Sequence, residues 1–148
     1  MFSGGTIIEY ESFDNKYIMR IDRGEEIIET IREFCKENNI TLGTISGLGA
    51  VDQARIGLFN TKTKEYHAQT LKGDHEITSL SGNISTMDGE VYLHVHANFA
   101  DDKYNTYGGH LNEAVVSGTG EIVIEEIEGQ VDREFSDKIG LNLYEFQQ

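Results

Sequence analysis

Three histidines carry the chemistry this sequence offers. His94 and His96 stand one residue apart, and His110 follows the pair Gly108-Gly109. If Val91 to Phe99 is a strand, Val91, Leu93, Val95, Ala97 and Phe99 point to one side, and all are apolar. Tyr92, His94, His96 and Asn98 then share the opposite, polar side. Imidazoles at i and i+2 on a strand lie about 7 Å apart at Cα, close enough for both rings to reach one ion. Such a bond is roughly 2.0–2.1 Å long for zinc. Tyr107-Gly108-Gly109-His110 reads as a tight glycine turn that brings in a third imidazole. Three neutral imidazoles with a free fourth position form the ligand set of a catalytic zinc rather than a closed structural one. Asp101 and Asp102 lie on the intervening polar loop, Ala100 to Thr106, and either is placed to orient an imidazole from behind. A His-x-His pair alone also describes an ordinary polar strand face, so the third histidine matters. His67 and His75 have no matching partner and read as surface residues.

The elements that must position these side chains can be read from periodicity. Lys16 to Ile21 is a predicted strand. Asp22 with Glu25 has the spacing of an N-terminal capping box, and Ile27, Ile28, Ile31, Phe34 and Cys35 then form one apolar helical stripe. Lys36 suits the C-terminal end of that helix, and Asn38-Asn39 stops it. The stripe, Cys35 included, reads as core. Period-two patterning follows. Ile40 to Ser46 is a strand leading into Gly47-Leu48-Gly49-Ala50. Ala54, Ile56 and Leu58 mark a second strand, and Tyr66 to Leu71 its hairpin partner across the polar turn Asn60 to Lys64. Glu76 to Ser85, Val91 to Phe99, Glu121 to Glu128 and Val131 to Phe135 supply four more. Met87-Asp88-Gly89-Glu90 carries the Asp-Gly signal of a tight hairpin. The Gly47–Gly49 segment is not a nucleotide loop, because a strand rather than a helix follows it. The expectation is one α+β domain over residues 1–148: one helix near the front and a mostly antiparallel sheet behind it.

Composition narrows the partners. Against 12 Lys and Arg stand 26 Asp and Glu, a formal net charge of −14. A DNA backbone is gripped by cations that displace its counterions, so this balance disfavours duplex binding by the chain alone. One cysteine, Cys35, rules out an intrachain disulfide and is compatible with a reducing cytoplasm. Met1 to Tyr10 lacks a basic segment followed by an apolar run, so no signal peptide is expected there. No stretch approaches the roughly 18 apolar residues of a membrane span.

Beyond these readings, Gly47-Leu48-Gly49-Ala50, Gly73-Asp74-His75-Glu76-Ile77-Thr78-Ser79-Leu80-Ser81-Gly82, Leu93-His94-Val95-His96-Ala97 and Gly108-Gly109-His110-Leu111 occur in an order and spacing that resembles the single-domain PPC (plants and prokaryotes conserved) proteins. The likeness runs from about Tyr17 to Leu143 and takes in Asp132-Arg133-Glu134-Phe135 and Ile139-Gly140-Leu141. It implies an α+β fold, a homotrimer, and zinc on His94, His96 and His110. It also implies the label of DNA-binding protein, which in plants goes with AT-hook segments. This chain has no Arg-Gly-Arg-Pro hook and no proline at all.

A more distant likeness is to acetolactate decarboxylase, whose zinc also sits on three histidines. It opens a second expectation beside that of a regulatory module: a zinc enzyme acting on a small oxygenated metabolite. In that reading Glu76 is the general acid or base, and Arg133 anchors a substrate carboxylate.

Overall fold

The computed structural model describes residues 7–147. The expectation about a signal peptide in Met1 to Tyr10 falls mainly outside that range. The chain runs β1 (Glu9–Phe13), β2 (Lys16–Asp22), α1 (Ile27–Glu37), β3 (Gly43–Asn60), β4 (Glu65–Met87), β5 (Glu90–Ala100), β6 (Thr106–Glu126), β7 (Asp132–Ser136) and β8 (Leu141–Glu145). Among the described residues, one helix and a sheet antiparallel at all but one strand pairing make it α+β.

The helix forms where the stripe demanded it. Ile27, Ile31, Phe34 and Cys35 are fully buried and Ile28 nearly so. Burying each such side chain contributes about 1.5–3 kcal/mol before entropy is counted. Its N-cap differs from the expectation. Asp22 and Glu25 do bond reciprocally, but they close a turn ahead of the helix. Glu26 is the cap: its carboxylate accepts the N–H groups of Ile28 and Glu29 at 2.8 Å each, and that of Ala114 on β6 at 2.9 Å. One side chain thus starts the helix and fastens it to the sheet. Asn39, at φ 55, ends it in the left-handed region that asparagine tolerates.

The strands are longer than periodicity indicated. The two segments expected around Gly47–Ala50 are one bent strand, β3, and the two expected on either side of Gly73 are one strand, β4. In the first, Gly49 takes φ +153, and a Cβ there would come within 2.1 Å of the Thr119 carbonyl oxygen. In the second, Gly73 and Asp74 together oppose Asp52, a bulge whose glycine takes φ +94. Glycine therefore bends these strands without ending them. Strand β6 begins at Thr106, well before the expected Glu121, and β1 and β8 carried no clear signal.

Sheet order is β1-β2-β6-β3-β4-β7-β8, with β5 paired to both β4 and β6. Because β3 also pairs with both β4 and β6, these four strands close on themselves. The core packs Val95, Ala97 and Phe99 of β5 and Ile122 and Ile124 of β6 together with the α1 stripe.

Candidate metal centre

Two polar stripes lie side by side. On β5, Tyr92, His94, His96 and Asn98 alternate with the buried Val95, Ala97 and Phe99, as expected. On β4, the residues directly opposite them are Ser85, Asn83, Ser81 and Ser79. On the other flank of β5, His96 is the register partner of His110 on β6, and His110 is in turn the partner of Gly57 on β3. Directly opposed residues have Cβ atoms about 4.5–5.5 Å apart, so this register alone sets His110 against His96.

The paired glycines do not form a turn, contrary to expectation: Gly108 and Gly109 lie within β6. They are needed for close approach. A Cβ on Gly108 would come within 1.7 Å of Asn98 Oδ1, and one on Gly109 within 2.7 Å of the Gly57 carbonyl oxygen. The third histidine is delivered by strand pairing rather than by a hinge.

The three rings converge. Centroids are 4.9 Å apart for His94–His96, 5.4 Å for His94–His110 and 5.8 Å for His96–His110. Each ring offers a nitrogen, and all three nitrogens lie within 4.8 Å of one another. His94 Nε2 and His96 Nε2 are 3.2 Å apart. Two imidazole nitrogens on a tetrahedral zinc stand about 3.3 Å apart, given bonds of about 2.05 Å. The β5 pair already meets that spacing. Two nitrogen lone pairs at this distance repel unless a proton or a cation lies between them, so the donor set fits an imidazole-binding divalent ion.

Electrostatics favours the neutral rings such an ion requires. Burial holds the His94 pKa down to about 4, helped by like charge from His96, His110 and Arg133. Burial also lowers that of His110, with His96 adding to the effect. Both are half-buried, whereas His96 is exposed.

The other nominated residues separate. Arg133 lines the same cavity as the three histidines, with only 8% of its surface exposed. Glu76 is exposed, lies opposite Ala100 on β5, and lines neither cavity at the histidines. Asp101 braces its own loop: Oδ1 accepts the N–H groups of Lys103 and Asn105 at 3.0 Å, and Oδ2 accepts the Tyr107 hydroxyl at 3.3 Å. Asp102 is exposed. His75 turns its Nδ1 to the Gly73 carbonyl, while His67 is exposed at the rim of the histidine cavity.

Two concavities meet at the cluster. One, of about 550 Å³, is lined by Ser79, Ser81, Asn83 and Asn98 beside His94 and His96. The other, of about 1060 Å³, has an aromatic and aliphatic wall that includes Leu58, Tyr66, Tyr92 and Tyr144. The polar stripe of β4 was legible as Ser79-x-Ser81-x-Asn83-x-Ser85, a period-two run that the sequence reading passed over. Tyr66, whose ring meets His110 edge-on at 6.0 Å, and Tyr144 gave no such signal.

Fold and site define a small α+β protein with four strands closed on themselves and a histidine triad on the face of two of them, β5 and β6. The chain belongs to the family of the Plants and Prokaryotes Conserved (PCC) domain, whose model matches residues 8–128.

A crystal structure from Bacteroides thetaiotaomicron, described as a candidate DNA-binding protein, superposes with a TM-score of 0.94 at 38% identity, covering 97% of this chain and all of that one. A metal-containing protein from Archaeoglobus fulgidus gives 0.85 at 34% identity, covering 96% and 100%. Among curated proteins, a bifunctional GlmU protein from Synechococcus is 30% identical over 112 residues, 74% of this chain. The chain spans only 17% of that relative's length. Acetolactate decarboxylase from Bacillus subtilis is similar in fold, with a TM-score of 0.57 at 14% identity over 82% of this chain and 57% of that one. No helix among the described residues is long and apolar enough to cross a membrane.

Proposed function

We propose that this chain is a metal-binding PPC module in which His94, His96 and His110 hold one zinc ion, and that it works as a homotrimer in the cytoplasm. The observation that carries the reading is the convergence of three ring nitrogens from two paired strands. The metal-containing relative from Archaeoglobus fulgidus supports the presence of an ion, and imidazole donors favour zinc among the common choices. Support for assembly comes from the family resemblance and from Leu58, Phe135 and Leu143, which lie exposed around the cavity and the β7–β8 hairpin.

A bound zinc supplies a Lewis acid and a water of lowered pKa at its open position. The protein's own part is to keep His94 and His110 neutral by burial, to fix the spacing of the three rings by register, and to present two concavities to whatever approaches. The test is elemental analysis of purified protein. Wild type should carry about one zinc per chain, and His96→Ala should lose it, since three protein ligands are the usual minimum for such a site. Equal metal in both would remove the assignment. Light scattering on the same samples reads the oligomer.

A second reading, a zinc-dependent enzyme on a small oxygenated metabolite, is favoured by the nearly buried Arg133 in the same cavity. Glu76, exposed outside that cavity, has less support as its acid or base. DNA contact through this domain alone is opposed by the net charge of −14. It predicts weak or no binding to a duplex even at low salt, where backbone contacts are strongest.

A further inference from the structure

Of the 148 residues, 26 are acidic, yet no Asp or Glu lines either concavity at the histidines. Arg133 does line the larger one. Among the described residues it has no carboxylate partner: the ion pairs are Arg20–Asp22, Arg32–Glu29 and His67–Glu65. A buried cation is ordinarily paired, because desolvating it is otherwise costly. Neutral dipoles hold this one instead. Its Nε donates to Ser85 Oγ at 2.8 Å, Nη1 to the Asn142 carbonyl at 2.9 Å and Nη2 to Asn83 Oδ1 at 3.0 Å. The rings of Tyr92 and Tyr144 stack on it at 4.6 and 4.3 Å. A guanidinium has five N–H donors. Three are used here, which leaves two. Asn83 is the register partner of His94, so the charged head sits one side chain from the histidine cluster.

We infer that this cavity receives a small organic carboxylate, its charged end on Arg133 and a second oxygen directed to the histidine-held metal. The inference rests on the metal reading proposed above and names the class of ligand. A divalent ion, three neutral imidazoles and Arg133 give the cavity a charge of +3 with no fixed acid to offset it. The remaining wall, Leu58, Leu143 and Tyr66, suits a short carbon skeleton. A cavity of about 1060 Å³ admits a metabolite, whereas a polyanion must first approach a surface of net charge −14. The three hydrogen bonds of Arg133 also tie β4 to the β7–β8 hairpin, a purely structural task. That task alone does not explain two spare donors or the exclusion of every acid from the cavity.

Calorimetric titration of the full chain with lactate, acetate and inorganic phosphate tests the assignment, on zinc-loaded and metal-free protein and with zinc content measured in each variant. Lactate should bind the zinc-loaded wild type more tightly than acetate, which lacks the second oxygen donor, and more tightly than phosphate. Arg133→Gln should keep its zinc and lose about tenfold or more in lactate affinity, the usual effect of removing hydrogen bonds to a charge. The metal-free protein should bind lactate more weakly but still in an Arg133-dependent way, so this arm reads the anchor even if the metal assignment fails. If Arg133→Gln does not fold, Arg133→Lys replaces it: the charge stays, the fork is lost, and affinity should fall at least about threefold. Equal lactate affinity in wild type and the folded variant overturns the inference. So does absence of lactate binding to either form of the wild type, tighter binding of phosphate, or displacement of lactate by a short DNA duplex.

Discussion

On one side of the molecule, α1 presses Ile31, Phe34 and Cys35 into a core shared with Ile122 and Ile124. On the other, His94, His96 and His110 meet on one face of the paired strands β5 and β6. The helix side is built from contacts that repeat every third or fourth residue within one segment, and each buried side chain has many neighbours to replace a lost contact. The histidine side is built from a register between segments. A slip of one residue on β5 would send both its histidines inward and Val95 outward. Packing is redundant, whereas the site depends on one alignment. Energy is concentrated on the helix side and positional accuracy on the histidine side.

The largest expected effect separates the two. Phe34→Ala, at a fully buried position, should destabilise the chain by about 3–5 kcal/mol in urea unfolding. The fraction that stays folded should still take up zinc with its normal stoichiometry. Loss of zinc from that fraction would mean that the two sides are coupled. Next is Gly109→Ala, which forces a methyl against the Gly57 carbonyl. It should cost about 1–3 kcal/mol as an overpacked position. Unlike Phe34→Ala it should also weaken zinc affinity sharply, because it moves the strand that carries His110. Unchanged zinc affinity would show that register is not what delivers the third ligand.

Glu26→Ala removes both the helix cap and its tie to Ala114, and should cost about 1–2 kcal/mol while leaving zinc content alone.

The smallest effect concerns pH and involves the metal-free protein. His94 has a folded-state pKa held down to about 4, against an ordinary value near 6.5, and that of His110 is also lowered. The unfolded chain therefore binds more protons than the folded one in the interval between those values. Stability is fully present above about pH 6.5 and declines as the pH falls toward 4. In thermal melts across that range the wild type should lose more stability on acidification than His94→Gln, which has no proton to take up at that position. Parallel curves would mean that His94 is not held neutral by its surroundings.

Much of this was legible in the sequence because it is local. The α1 stripe, the inward and outward faces of β5 and the Asp88-Gly89 hairpin each follow from side-chain period or turn chemistry within a few residues. The His-x-His pair is local in the same sense. What the sequence concealed were continuity and pairing. The strands read as ending at Ser46 and Leu71, yet they run on through Gly47, Gly49 and Gly73. Gly108-Gly109 read as a turn, yet both residues are flat backbone made bare so that Asn98 and Gly57 can come close.

By itself, then, the sequence determined the α+β class, the helix α1 with its buried face, the strand face that shows His94 and His96, and the net charge of −14. Only the tertiary structure decided that His110 stands opposite His96, that Arg133 and Asn83 join the same cavity, and that Glu76 lies outside it. The physical reason is that periodicity records which way a side chain points along its own strand. Which strand lies beside it, and in what register, depends on hydrogen bonds and close approaches between residues far apart in the chain.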